Sequence, residues 1–252
     1  MTPATNSTVA GCIPPIFPSY TKVLHPINED LSVEDKELTW QEKDEAMDPT
    51  PAPKTGIERT LADALSQSTL VYGGSHPGSR PVRIRWSKLA GRLGLSFVPT
   101  ISAQSFTRQF PGGSWPRRLL GPQEGCIDGP ERDALASVLC RHTDTDRTFF
   151  HFWLLATTDW QADKLFEGLL DEVSLFPNEA LGARLTPTHW FPEDRSWLVC
   201  SDYDLTFTLV GGSLSLAREL LDHPLLECVP VLPETRVDWQ ADLEESAHRF
   251  SS

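Results

Sequence analysis

Several kinds of chemistry lack their residues in this chain of 252. There are five cysteines, Cys12, Cys126, Cys140, Cys200 and Cys228, and no C-x-x-C pair among them, which excludes a zinc knuckle. The seven histidines (His25, His76, His142, His151, His189, His223 and His248) show neither H-x-x-x-H nor H-E-x-x-H spacing, so no metalloprotease helix is visible. No G-x-S-x-G presents a serine nucleophile. No run of eighteen apolar residues occurs, so nothing is expected to span a membrane. The first twenty residues have no basic n-region and no long apolar h-region and do not read as a secretory signal. Lysine does not occur beyond Lys164, and tyrosine occurs three times.

What is present is acidic. The net charge of −13 repels nucleic acid and anionic lipid, because binding to either relies on Lys and Arg neutralising phosphate. The short basic clusters, Arg80–Lys88 and Arg117-Arg118, read as solvated faces of strands or helix ends. The partner that suits this charge is a basic protein. A composition of 39% hydrophobic and 23% charged residues is that of a globular domain. Single cysteines among apolar neighbours, as in Val138-Leu139-Cys140 and Leu198-Val199-Cys200, read as small buried hydrophobes. That usage fits a reducing compartment, and a soluble cytoplasmic protein is expected.

The pattern along the chain predicts a flexible tail over 1–12, one domain over 13–238 and a polar tail over 239–252. "PPIFPSYTKVLHPI" places Ile16, Phe17, Tyr20, Val23 and Leu24 at helical spacing, so a short docked helix ending at His25-Pro26 is expected. Residues 27–56 form an acidic, proline-rich loop, with one short helix capped by Thr39 inside it. A helix is expected over "GIERTLADALSQ", a loop over "YGGSHPGSRP", a strand at "VRIRW" and helical segments in "WSKLAGRLGL" and "PTISAQSFTRQF". "DGPERDALASVLCRHT" has the strongest helix start, with Asp128 as cap, Pro130 in the first turn and Glu131 closing a capping box. Phe149–Ala156 reads as a central strand covered on both faces, and "DKLFEGLLDEVSLF" as a helix. "SLSLARELLDHP" is a helix capped by Ser213, and "LLECVPVLP" a last strand. Strands and helices do not alternate, which favours an α+β fold with a mixed or largely antiparallel sheet and flanking helices.

Three clusters are candidate sites. In "SDYDLTFTLVGGS" an apolar run leads into Asp202-Tyr203-Asp204, the D-x-D-x-T order by which phosphoaspartyl hydrolases present a nucleophile and an acid/base. The lysine that would neutralise phosphate charge does not follow it, and Asp is a common turn former, so a hairpin is expected. Gly211-Gly212-Ser213 lacks both the G-x-G-x-x-G spacing and the G-K-S/T lysine, and reads as a tight strand-to-helix turn. "THWFPEDRSW" is dense in special side chains. Trp190 and Trp197 are the residues that would stack on a sugar, a base or a peptide, with Arg195 fixing an anion. Alternatively, Arg195 pairs with Asp202 or Asp204 and seals an aromatic corner.

These segments together, "PPIFPSYTKVLHPI", "RIRWSKLAG", "HWFPEDRSWLVCSDYDLTFTLVGGS" and "LLDHPLLECVPV", resemble an uncharacterised bacterial family frequent in actinobacteria. Its pattern is P-x-x-F-x-x-Y ending in H-P, then W-P-x-D-R-x-W, D-x-D-x-T and V-G-G-S. The likeness runs from Pro14 to Val231, with Phe191 standing where the family has a second Trp. Residues 27–80 look like insertions. The resemblance implies one compact domain of cytoplasmic bacterial origin and carries no assigned activity over to this chain.

The expectation is therefore a non-enzymatic protein-interaction or regulatory protein of immunity-like type, with no cofactor, metal, nucleic acid or membrane partner. The candidate binding residues are Trp190, Arg195, Trp197, Asp202, Asp204, Gly211, Gly212 and Ser213. The alternative is a small-ligand or phosphate-handling enzyme around Asp202, Asp204 and Arg195. A third reading is carbohydrate binding through the tryptophans.

Overall fold

The computed structural model describes residues 8–33, 38–42, 81–127, 129–238 and 241. The helix expected over 56–67, the loop over 72–81 apart from Pro81, most of the acidic segment and nearly all of the C-terminal tail lie outside them.

A seven-stranded sheet organises the rest. Its strands are β1 (Ser19–Leu24), β5 (Thr148–Phe152), β6 (Lys164–Gly168), β7 (His189–Pro192), β8 (Leu198–Cys200), β9 (Phe207–Gly212) and β10 (Cys228–Val231). They run in the order β10-β1-β9-β8-β7-β5-β6, and each adjacent pair is antiparallel. A second sheet orders β2 (Ile27–Asp30) between β3 (Pro81–Ile84) and β4 (Leu119–Leu120). The fold is α+β and largely antiparallel, as the sequence pattern implies.

Each face of the large sheet has its own core. One face packs Tyr20, Leu24, Phe207 and Leu209 against Val9 and Ile13, and against α2 (Trp86–Arg92) and α3 (Ala103–Thr107). The other packs Val23, Phe150, Phe152, Val199 and Val210 against α4 (Gly129–Cys140) and α5 (Leu214–Leu221). The successive glycines of β9 serve these two faces in turn. A Cβ on Gly211 would meet the Phe17 ring at 2.6 Å, and one on Gly212 would meet Leu216 at 2.5 Å. Bare backbone here lets chain pack closely on both sides of one strand. Lys22, in β1, is also buried; its Nζ donates to the carbonyls of Pro99 (3.1 Å) and Ile101 (2.5 Å) and lies 4.1 Å from the Phe207 ring centroid.

Four expectations need correction. The segment from Pro14 is not a helix: Ser19–Leu24 is β1, paired on both sides and buried on both faces, so its apolar residues show no alternation. The tail over 1–12 does not run to residue 12, because Val9–Cys12 form α1, with Val9 fully buried and its N–H donating to Thr235 O at 2.9 Å. The acidic segment opens with β2, and Glu29 there is held by Arg92 and Arg118. "DKLFEGLLDEVSLF" gives β6 and a 3-10 stretch, Leu170–Leu175, in place of a helix. The alternation in β6, with Leu165 and Glu167 outward and Phe166 inward, is the period of two of an edge strand.

Smaller differences follow. β5 ends at Phe152, and Leu154–Ala156 is a 3-10 turn. Cys140 is exposed and not buried. The Asp128 cap expected before α4 lies outside the described residues; Glu131 is buried and pairs with Arg83. Thr39 does cap a helical turn: Thr39 N donates to Glu42 Oε2 (2.7 Å) and Glu42 N to Thr39 Oγ1 (3.2 Å). Among the described residues no helix is long and apolar enough to cross a membrane.

Candidate functional site

Strand β8 separates the predicted site residues. Arg195 lies in the β7–β8 turn, before the strand, and Asp202 and Asp204 lie in the loop after it. An extended strand holds its two ends apart, so Arg195 does not pair with either carboxylate. Arg195 is exposed, with φ +55, and its N–H donates to Pro192 O at 3.0 Å. Its neighbour Asp194 ties the turn to the loop after α4, accepting from Thr143 Oγ1 (3.0 Å) and Asp144 N (3.2 Å).

Trp190 and Trp197 are core residues. Both are fully buried, edge to face with centroids 6.3 Å apart, between the sheet and helices α4 and α5. Stacking on a sugar needs an open ring face, and neither indole has one. Both indole N–H groups are buried without an acceptor among the described residues, and nothing in the structure accounts for that. Ser213 caps α5, its Oγ accepting from Leu216 N at 3.2 Å, so V-G-G-S is the strand-to-helix turn that the sequence suggests.

Asp202 and Asp204 occupy a hairpin loop, since β8 and β9 pair antiparallel on either side of it. A phosphoaspartyl site of the kind considered above needs a strand that delivers its loop to the carboxyl end of a sheet. Here the chain turns straight back as β9. The two carboxyl groups hydrogen-bond each other, and neither has a cationic partner among the described residues. Asp202 Oδ1 is buried with no partner. Burial of the carboxyl, then the Asp202 charge beside it, push Asp204 up to about 6. The residue as a whole is exposed, so the neighbouring charge is the cause that bears most on its behaviour.

A testable consequence follows from the sign. The folded value lies above the ordinary 3.8, so this group favours the folded state at low pH. That contribution is lost as pH rises from about 4 to about 6. Asp204→Asn, which donates to Asp202 without titrating, is expected to melt higher than the wild type above pH 6 and level with it near pH 4. A constant difference in Tm at every pH would show that the two carboxylates do not share a proton.

A cluster of exposed apolar side chains lies elsewhere, at the far end of β5. Among the described residues strand β6 is an edge with one neighbour, and Leu165, opposite His151, is 62% exposed. The connection from β5 to β6 carries Trp153 (48%) and Trp160 (56%), with Leu154 and Leu155 also exposed. Leu181 joins them, because Thr157 bridges Ala183 and Thr158 N donates to Gly182 O at 3.1 Å. Trp160 has φ +54, a left-handed conformation that costs a bulky L-residue on the order of 1–2 kcal/mol. The turn enforces it: Trp160 N donates to Thr157 Oγ1 (3.2 Å) and Gln161 N to Asp159 Oδ1 (3.2 Å), while Arg184 lies 5.6 Å from the indole. Carboxylates edge the patch, with Asp159 3.6 Å from Lys164 Nζ and Asp163 3.3 Å from His151 Nε2.

Sequence reasoning missed this corner by extending the buried strand through Ala156. The signal present was Thr157 and Asp159, whose side-chain oxygens accept from Trp160 N and Gln161 N and mark a turn. Among the described residues no cluster of three or more metal-ligating side chains forms. No protein-family profile, curated protein or solved structure matches the chain.

Proposed function

We propose that this chain is a binding protein that docks a basic protein partner on the Trp153–Leu165 corner, in a regulatory or neutralising role. The observation that carries this reading is the corner itself. Two tryptophans and four leucines stand exposed around one edge strand, and one tryptophan is held there against backbone strain. Aromatic side chains of this kind anchor protein interfaces, and strained exposed residues persist where surroundings over-determine them. The net charge of −13 sets the sign of the partner. The cysteines described as free thiols fit a reducing, cytoplasmic setting.

The test is co-purification of tagged wild type and of Trp153→Ser/Trp160→Ser/Leu165→Ser from the native host, with bound proteins identified by mass spectrometry. A basic protein held by the wild type is expected to fall at least tenfold in the variant, while Tm changes little because these side chains are exposed. Equal retention by a folded variant would refute the corner as the docking site.

A further inference from the structure

A groove of about 840 Å³ opens at the other end of β5, between α4, the loop over 141–146 and the segment over 169–174. Its floor is apolar: Ala136, Leu170 and Val173 are all buried there, and Leu169, 53% exposed, stands at the mouth. Its rim is acidic. Asp144, Asp146 and Asp171 line it, and none has an ion pair or a side-chain hydrogen bond among the described residues. Of the other charged groups on the wall, Arg141 is engaged by Glu219 and Asp133 by Arg132. The groove therefore presents uncompensated negative charge above an apolar surface.

The wall is built to stay in place. Asp194 of the β7–β8 turn accepts from Thr143 Oγ1 and Asp144 N, and Arg147, just beyond, bridges Glu167 and Glu193. Three carboxylates around one cavity repel one another, and a ligand bringing positive charge relieves that repulsion. Nucleic acid and anionic lipid have the wrong sign. A fully polar cation leaves the floor unused.

We propose that this groove binds a basic amphipathic peptide segment of a protein partner, with Lys or Arg side chains at Asp144, Asp146 and Asp171 and an aliphatic side chain on the Ala136–Leu170–Val173 floor. The inference rests on the protein-binding reading only in that the ligand is a protein; the groove and the Trp153–Leu165 corner lie at opposite ends of β5.

Fluorescence anisotropy with a labelled synthetic peptide of Lys and Leu tests it. A Lys/Ser peptide of equal charge and a Glu/Leu peptide serve as controls. Wild-type protein is expected to bind Lys/Leu best. Asp144→Asn/Asp146→Asn/Asp171→Asn is expected to weaken that binding about tenfold. Leu169→Ser is expected to weaken it less, and Trp160→Ala not at all. The matched variant Glu179→Gln/Asp222→Asn/Glu234→Gln removes the same charge elsewhere on the surface. If it weakens binding equally, or if Lys/Ser binds as well as Lys/Leu, attraction is to bulk charge and the groove is refuted. No binding of Lys/Leu by the wild type also refutes it. The corner variants are read separately, so either proposal can fail alone.

Discussion

Trp197→Ala is expected to destabilise the protein by about 3–5 kcal/mol, the range for removing a large aromatic from a packed core. The ring has no exposure, meets Trp190 edge to face, and its Cβ lies 3.5 Å from where a side chain on Gly212 would begin. Neighbours confined by two strands and a helix collapse poorly into such a void. Trp197→Phe is expected to cost less than half as much, because it refills most of the volume and removes the indole N–H that has no acceptor. Urea unfolding followed by tryptophan fluorescence measures both. A loss below about 1 kcal/mol for the alanine variant would mean a peripheral ring, and would reopen Trp197 as a ligand-stacking residue.

Acid is expected to destabilise the fold through His25, well before most carboxylates titrate. This ring, in the link from β1 to β2, is fully buried. Gln123 O lies 2.6 Å from Nδ1, so Nδ1 carries the proton and donates. Nε2 therefore accepts from Thr208 Oγ1 at 2.9 Å, and Thr208 Oγ1 accepts from Ser201 Oγ at 2.7 Å. A second proton has no place in this arrangement. Burial lowers the imidazole from 6.5 to about 4, against a smaller opposing effect of the Gln123 carbonyl. The folded value lies below the unfolded one, so the unfolded chain binds the extra proton first. Stability from neutral His25 is complete above about pH 6.5 and drains away as pH falls to about 4, by about 3 kcal/mol in all. Urea midpoints between pH 7.5 and 4 should show that decline. The Asp204 contribution runs the opposite way over part of the range, so Asp204→Asn should make the decline steeper. A flat profile in that variant would contradict the burial of a neutral His25.

The two titrations meet in one hairpin. Ser201 begins the loop that carries Asp202 and Asp204, and through Thr208 it is tied to His25. The loop is thus anchored at its base by a neutral network and holds its own pair of carboxylates above it. This explains how D-x-D-x-T can follow an apolar strand as the turn of a hairpin. The residues that make it look catalytic also make a turn.

Much of this was legible where sequence and local physics agree. The α5 helix is marked by its Ser213 cap and leucine face, and the β8–β9 hairpin by β-rich runs around two aspartates. Legibility failed where burial is decided by partners far along the chain. Tyr20, Val23 and Leu24 fit a helical face, yet β9 and β10, about 190 residues away, turn that segment into a two-faced strand. Leu165 and Phe166 read equally as helix, because nothing local says that β6 has only one neighbour. The same blindness hid the site. Trp190 and Trp197 look like ligand-stacking residues and are core; Trp153 looks like part of a buried strand and, with Trp160 beyond it, is surface. Composition shows eight tryptophans, but only the tertiary layers show which of them face outward.

Amide hydrogen exchange on the co-purified complex, compared with the free protein, tests the central claim most directly. The account predicts slower exchange over 153–165 and 181–184, with the hairpin amides of 201–206 unchanged. Protection confined to 201–206, with 153–165 exchanging as in the free chain, would contradict it and move the functional site to the aspartate pair.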